Sequence, residues 1–277
     1  DQVTCVLVNG FAAMIDVPGL NYRAHRYVES YETLPQNIVL GSETASTVSS
    51  RGVYKFPVQK GASVMYDDHD VECCSWSNLP DEDFALADDY DWTIGQFVWT
   101  GFDYLGEPSP YSTDSWPSHS SVFGIIDLAS LPKDRFYLYR SLWNKQANTL
   151  HVLPHWTWPG REGENTPVFV YTSYPSAELF VNGKSYGKQR KLTADESRAL
   201  EGQDSLEKVI RTAGKPHHLE LVADRTHLSA DGKDLAYITV RVVDKDGNLC
   251  PADSRMVNFS VKGAGKYRAA ANGDATS

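Results

Sequence analysis

The sequence predicts a parallel α/β region followed by an all-β region, and three observations support this fold class. Short continuous apolar runs at Ala12–Val17, Asn37–Leu40 and Ile94–Trp99 predict strands that are buried on both faces, as in parallel sheets. Helix-compatible polar stretches, Arg26–Leu34 and Asp81–Asp89, lie between them and give a βα repeat. From about residue 146 helical periodicity is weak, and short strands separated by turns indicate a β-sandwich.

Turn residues divide the second region into short strands. The expected strands are residues 151–154, 167–172, 177–181, 218–223, 236–243 and 256–261. Asn182 and Gly183 directly follow the third of these, and an Asn-Gly pair is a strong hairpin signal. The stretch Ala213-Gly214-Lys215-Pro216 indicates a further boundary. We therefore expect three domains, at residues 1–145, 146–213 and 214–277.

Composition and charge exclude several classes of function. The 277 residues contain 26 Lys plus Arg and 36 Asp plus Glu, a net charge of −10, which argues against nucleic acid or an anionic membrane surface as a partner. No apolar run reaches the roughly 18 residues of a membrane span. The 4 cysteines lack C-x-x-C spacing, so no metal site is expected from them.

Candidate catalytic residues follow the expected strands. In parallel α/β barrels, catalytic groups lie just past the carboxyl ends of strands. This rule selects Tyr22, Glu43, and Trp99 with Asp103. A carboxylate, a tyrosine and a tryptophan suit a sugar hydrolase, because the carboxylate attacks the anomeric carbon, the hydroxyl orients it and the ring packs on the sugar. Taken singly, a surface Glu and a core Trp are the commoner interpretations, so the argument depends on three strand ends offering compatible groups.

Long motifs add a family resemblance. The segments DVPGLNYRAHRY (Asp16–Tyr27), NIVLGSETASTVSSRGVYKFP (Asn37–Pro57) and WTIGQFVWTGFDYLGEPSPY (Trp92–Tyr111) resemble glycoside hydrolase family 2, most closely the β-galactosidase-like enzymes of gut Bacteroides-type bacteria. The resemblance continues through Ser120–Asn144 and into the second region. It implies the carboxy-terminal portion of a (β/α)8 TIM barrel followed by two immunoglobulin-like β-sandwich domains.

The resemblance implies a retaining exo-β-glycosidase, and most directly a β-galactosidase. Glu43 would be the nucleophile and Tyr22 would orient it. Trp99, Asp103 and Phe123 would contact the sugar, although Phe123 suits the core equally well. The family's acid/base Glu follows an Asn, and no such pair occurs here in that context. A complete barrel needs about 250 residues, so we expect the acid/base Glu to lie outside this chain.

Two alternatives stay open at this stage. The chain could be a non-catalytic carbohydrate-binding or structural fragment, or it could have another family 2 specificity such as β-glucuronidase. Glucuronidases of this family carry an Asn-x-Lys pair that grips the sugar carboxylate. Ser121 and Phe123 stand at those positions here, which favours a neutral galactoside.

The resemblance also bears on partners. It implies a β-galactoside oligosaccharide or glycan as substrate, a periplasmic or secreted location, and is compatible with a homo-oligomer. No cofactor is expected. Some family members use Mg²⁺ or Na⁺, but no ligands for these ions can be mapped onto this sequence.

Overall fold

A computed structural model describes residues 2–58, 69, 71–106, 108, 118–190 and 206–274. The α-helices are α1 (Gln2–Val8), α2 (Tyr27–Thr33), α3 (Pro80–Asp89) and α4 (Asp134–Trp143). The strands are β1 (Gly19–Asn21), β2 (Val39–Thr44), β3 (Thr93–Val98), β4 (Leu150–Leu153), β5 (Phe169–Thr172), β6 (Ser176–Val181), β7 (Lys184–Arg190), β8 (His218–Ala223) and β9 (Ile238–Val243). Short 3₁₀ turns cover Ala12–Met14 and Ala24–Arg26.

The chain divides into two compact units. The first comprises Asp1–Leu153, Phe169–Leu206 and Ala270–Ser277, and the second comprises Pro154–Val168 and Glu207–Ala269. The three expected domains, with boundaries near residues 145 and 213, stay a prediction. No helix in the described ranges is both long enough and apolar enough to cross a membrane.

The first unit contains a three-stranded parallel sheet in the order β1-β2-β3. Helix α2 links β1 to β2, and α3 lies between β2 and β3 in the chain, so the predicted βα repeat and parallel pairing are confirmed. Leu20 of β1, Tyr27 of α2 and Val39 of β2 form one buried apolar cluster, so the helix packs on the sheet through these side chains.

The helix starts follow from local sequence. Helix α3 has Pro80 in its first turn, where no intrahelical N–H partner is needed. Asp81 and Glu82 follow it, and exposed acidic side chains suit the positive end of the helix dipole. The predicted helices at 26–34 and 81–89 are confirmed as α2 and α3.

The first expected strand is wrong. Residues 12–14 form a 3₁₀ turn and the strand β1 starts only at Gly19. Met14 and Val17 are 81% and 42% exposed, so the run at 12–17 does not form a buried strand, although Ala12 is buried. The other two strands of the sheet are confirmed with shifted ends, and β2 extends through Glu43 to Thr44.

A second apolar cluster lies past the ends of β2 and β3. It consists of Val48, Cys74, Val122 and Phe123, with Trp99 and Tyr104 packed against it. Backbone hydrogen bonds join the segments that contribute to it, including Val48 N–H to the Glu72 carbonyl at 3.2 Å and Ser49 N–H to the Val122 carbonyl at 3.3 Å. This cluster fixes the loops at the carboxyl end of the sheet.

The remaining strands, β4 to β9, form antiparallel pairs. In the first unit β4 pairs with β5, and β6 with β7. Asn182 and Gly183 join β6 to β7 with φ of 51° and 77°, as an Asn-Gly hairpin turn requires, so that prediction is confirmed. In the second unit β8 pairs with β9. The strand expected at 256–261 is wrong, because Met256 is 87% exposed and the segment has no ladder partner among the described residues.

Candidate active site

The structure brings Tyr22 and Glu43 together at one end of the parallel sheet. Tyr22 directly follows β1, and its N–H donates to the Glu43 carbonyl at 2.9 Å. Its backbone has a φ of 53°, a left-handed conformation that is uncommon for a bulky residue. From this position the Tyr22 phenol interacts with Glu43, whose charge and hydrogen bonding raise the pKa of that phenol. Both side chains are half-buried.

The Gly-Ser-Glu motif has a local physical basis. A Cβ on Gly41 would lie 2.6 Å from both the Tyr27 hydroxyl and Thr44 Cγ2, so only glycine fits between α2 and the strand. The Ser42 hydroxyl donates to Asn21 Oδ1 at 2.6 Å and so links β2 to β1. Glu43 is therefore held on a strand whose neighbours on both sides are fixed.

The environment of Tyr22 fixes its protonation. Burial raises the pKa of Tyr22 above its usual range. The nearby Ser46 hydroxyl opposes this rise, while the hydrogen bond and the charge of Glu43 add to it. The phenol consequently keeps its proton throughout the neutral range, and it can act on Glu43 as a hydrogen-bond donor.

Trp99 lies on the neighbouring strand end. Its N–H donates at 2.9 Å to the carbonyl of Thr44, the residue that follows Glu43 in the chain. The peptide bond between Trp99 and Thr100 is cis. The half-buried indole packs edge-to-face on Tyr104, with ring centroids 6.0 Å apart. Tyr22, Glu43 and Trp99 thus share one end of the sheet, and their catalytic and binding roles stay predictions.

Asp103 has a different setting. It is buried and accepts hydrogen bonds from the Lys133 ammonium at 2.9 Å and from Gly124 N–H at 2.8 Å. Burial raises the pKa of Asp103, and the charge of Lys133 opposes that rise. Its Oδ1 is therefore engaged by protein groups, and a contact with sugar hydroxyls stays a prediction.

Phe123 belongs to the core in this structure. Its side chain is 2% exposed and packs in the apolar cluster with Val48, Cys74 and Val122. Of the two interpretations open at the sequence level, the geometry favours packing in the core. Contact with a sugar would require this side chain to be uncovered.

Two buried cations were missed by the sequence analysis. The Lys133 ammonium also donates to the Ser49 carbonyl at 2.7 Å and to the Val122 carbonyl at 3.1 Å. The Arg135 guanidinium donates to the Thr47 and Phe123 carbonyls. Both side chains are 0% exposed. Together they join the segment after β2 to residues 122–123, and no local sequence signal marks charged residues as buried in this way.

A pocket of about 400 Å³ lies beside Tyr22. Its lining residues are Tyr22, Arg23, Ala24, His25, Ser75, Trp76, Ser77, Asn78 and Glu82. The sequence analysis did not find it, because its walls come from segments that are 50 residues apart in the chain. Within the described ranges, no group of three or more His, Cys, Asp or Glu side chains is arranged to hold a metal ion.

Comparison with known proteins decides the family. Residues 219–277 match the glycoside hydrolase family 2 C-terminal domain 5, and residues 163–202 match a domain of unknown function, DUF4982. Over 96% of its length the chain is 38% identical to a Bacteroides ovatus protein named β-galactosidase BoGH2A. The chain belongs to glycoside hydrolase family 2. The resemblance identified from its motifs is thereby confirmed.

Other family 2 relatives agree on the fold. The chain matches a β-glycosidase from Bacteroides vulgatus with a TM-score of 0.70 and 25% identity, covering 90% of this chain and 39% of that one. It matches a family 2 member from Bacteroides cellulosilyticus with a TM-score of 0.62 and 27% identity, covering 87% and 33%. A Formosa agariphila protein named β-glucuronidase is 25% identical over 70% of this chain and 22% of its own length. The fold is therefore a multidomain family 2 fold, and the chain spans about a third of the length of the β-galactosidase relative, 34%.

Proposed function

We propose that this chain supplies the nucleophile of a retaining exo-β-glycosidase that acts on β-galactosides. The observation that carries the proposal is the pairing of Tyr22 with Glu43 at the carboxyl end of a parallel sheet. The Tyr22 N–H donates to the Glu43 carbonyl, and Glu43 raises the pKa of the Tyr22 phenol. A half-buried carboxyl group beside a phenol that keeps its proton has a hydrogen-bond donor to aim it, which is what attack on an anomeric carbon needs. The β-galactosidase named among the relatives supports the same reaction class.

The mechanism follows from these groups. Glu43 would form an ester with the anomeric carbon while the glycosidic C–O bond breaks and its electron pair leaves with the departing oxygen. A second carboxyl group, which we place outside this chain, would protonate that oxygen and later take a proton from the attacking water. In retaining enzymes the two carboxyl groups are about 5–5.5 Å apart. Trp99 would pack its ring on the sugar held against Glu43.

We further propose that β1, β2 and β3 are the last three strands of a (β/α)8 barrel. Their parallel pairing and the helices between them support this arrangement. The antiparallel pairs that follow would belong to two immunoglobulin-like sandwiches. Matches to a family 2 carboxy-terminal domain over residues 219–277 support the position of the last one.

The preference for a neutral galactoside depends on which residues stand where glucuronidases of this family have their carboxylate-binding cation. Ser121 and Phe123 occupy the positions of the glucuronidase Asn-x-Lys pair, and both are buried. Neither side chain carries a positive charge, and the nearby cations Lys133 and Arg135 are fully buried and donate to protein carbonyl groups. A glucuronide carboxylate would therefore lack the cation that the Asn-x-Lys pair supplies. Relatives named β-glucuronidase make that activity the outcome to test against.

The test compares nitrophenyl β-galactoside and nitrophenyl β-glucuronide as substrates of the intact protein that carries this chain. We expect turnover of the galactoside and at least a hundredfold lower kcat/KM for the glucuronide. Glu43→Gln should abolish galactoside turnover while sugar binding persists, and Glu29→Gln, an exposed carboxyl on α2, is the matched control. A preference for the glucuronide would overturn the specificity, and normal turnover by Glu43→Gln would overturn the mechanism.

A further inference from the structure

We propose that the pocket beside Tyr22 binds the leaving-group sugar, with Trp76 as the surface on which that ring stacks. The inference rests on the proposed function, because it places a second, neutral sugar ring next to the bond that Glu43 attacks. Nothing in the sequence motifs assigns a role to Trp76.

Position is the first argument. Tyr22 lines the pocket, its N–H donates to the Glu43 carbonyl and its phenol interacts with Glu43, so the pocket and the candidate nucleophile meet at one residue. A volume of about 400 Å³ lies within the range of roughly 300–1,000 Å³ that ligand pockets occupy. A group bound here is therefore adjacent to the attacked sugar and separate from it.

The chemistry of the walls is the second argument. Trp76 is a large aromatic side chain that is 45% exposed, and a flat indole face suits the C–H surface of a sugar ring. Around it stand Arg23, His25 and Glu82, groups of both charge signs that can hydrogen-bond hydroxyls. This mixture suits a neutral, polyhydroxylated ligand better than an anion.

The third argument is that the platform is anchored to the catalytic strand. Ser46, three residues after Glu43, accepts from Cys74 N–H at 3.1 Å and donates its own N–H to the Ser77 hydroxyl at 2.9 Å. These two bonds bracket Trp76 in the chain. The backbone on both sides of Trp76 is thus tied to the segment that follows Glu43, and a subsite needs such support if it is to align the leaving group.

The experiment compares two substrates in the intact protein. Lactose has a leaving-group sugar, whereas β-galactosyl fluoride has only a fluoride ion to release. Trp76→Ala should lower kcat/KM for lactose about tenfold and leave kcat/KM for the fluoride within about twofold, because the lost contact is with the leaving group alone. Trp76→Phe retains a ring and should restore most of the lactose activity.

Controls separate the possible failures. Phe180→Ala removes an aromatic side chain of β6 that is 57% exposed and lies outside the pocket, and it should change neither substrate. Trp76→Leu, which keeps an apolar side chain without a ring, replaces Trp76→Ala if the latter does not fold. An equal loss on both substrates, or no loss on lactose, would overturn the subsite while leaving the proposed function intact. Failure of the unaltered protein to hydrolyse galactosyl fluoride would overturn the proposed function, and the subsite with it.

Discussion

Removing the buried ammonium of Lys133 should destabilise the loops at the carboxyl end of the sheet. The perturbation is Lys133→Met, which keeps the apolar stem and deletes the charge. Lys133 is fully buried and its ammonium contacts Asp103 and the carbonyls of Ser49 and Val122. The substitution would leave the Asp103 carboxylate buried without its cation.

The magnitude follows from this geometry. At the 2.9 Å separation of the pair, Coulomb attraction is about 6 kcal/mol with an effective dielectric constant of 20. Desolvation offsets part of that attraction, and removing one partner of a buried pair costs about 3–5 kcal/mol in measured cases. Lys133→Met is therefore expected to lower the free energy of unfolding by about 3–5 kcal/mol. The segments that the ammonium joins should open first.

The assay is native-state hydrogen exchange on the intact protein, followed in peptides covering Ser49, Asp103 and Val122. A loss of stability of this size should speed hydrogen exchange about 100-fold to 3,000-fold if opening is local. Lys145→Met is the control, because Lys145 is exposed just past α4 and should change exchange less than about threefold. Asp103→Asn combined with Lys133→Met should cost less than the sum of the single changes.

The reasoning would be refuted if Lys133→Met altered exchange in these peptides by less than tenfold, or no more than Lys145→Met does. It would also be refuted if the single changes at Asp103 and Lys133 were additive. Either result would mean that the ion pair does not hold the loops past β2 and β3.

Two further predictions concern the site and its support. Tyr22→Phe removes the hydrogen bond to Glu43, worth about 1.5–3 kcal/mol for a charged acceptor, so kcat on nitrophenyl galactoside should fall roughly tenfold to a hundredfold with the melting temperature little changed. Tyr31→Phe on α2 is the matched control, and equal rates for both variants would contradict the role given to Tyr22. The second prediction concerns Asp83, where burial raises the pKa to about 7 while the Asn78 side chain opposes the rise. The folded state then keeps a proton that the unfolded state loses above pH about 4, so stability is greatest below that pH and falls as pH rises to about 7. Asp83→Asn should remove this slope from the melting temperature between pH 4 and 8, whereas exposed Asp88→Asn should keep it; a slope that survives in Asp83→Asn would show that Asp83 is not its source.

Sequence alone predicted much of the parallel sheet and the candidate site, for identifiable reasons. Buried strands and polar helices have different periodicities, so β2, β3, α2 and α3 could be placed from the pattern. The ends of the expected strands selected Tyr22 and Glu43, although the strand expected before Tyr22 lies at 19–21 and not at 12–17. The structure joins the two residues by a backbone hydrogen bond. The motifs added the family.

The features that the sequence did not predict depend on contacts between distant residues. The apolar run at 12–17 has the composition of a strand, but Met14 is 81% exposed within the described part of the chain, and hydrophobicity alone does not predict burial. Lys133 is buried because its partners include Ser49, 84 residues away, so no window of sequence around it could reveal its setting. The pocket at Trp76 likewise exists only after two strand ends have been brought together.

The most direct measurement of the central claim is covalent trapping of the nucleophile. The intact protein would be treated with a dinitrophenyl β-galactoside whose ring hydroxyl next to the anomeric carbon is replaced by fluorine. Fluorine slows both chemical steps and the good leaving group restores the first one, so the glycosyl ester should accumulate without help from the acid. The account predicts a mass increase of one fluorosugar per chain, carried by the peptide that contains Glu43. A label on any other carboxyl group, or none while the galactoside is still hydrolysed, would contradict it.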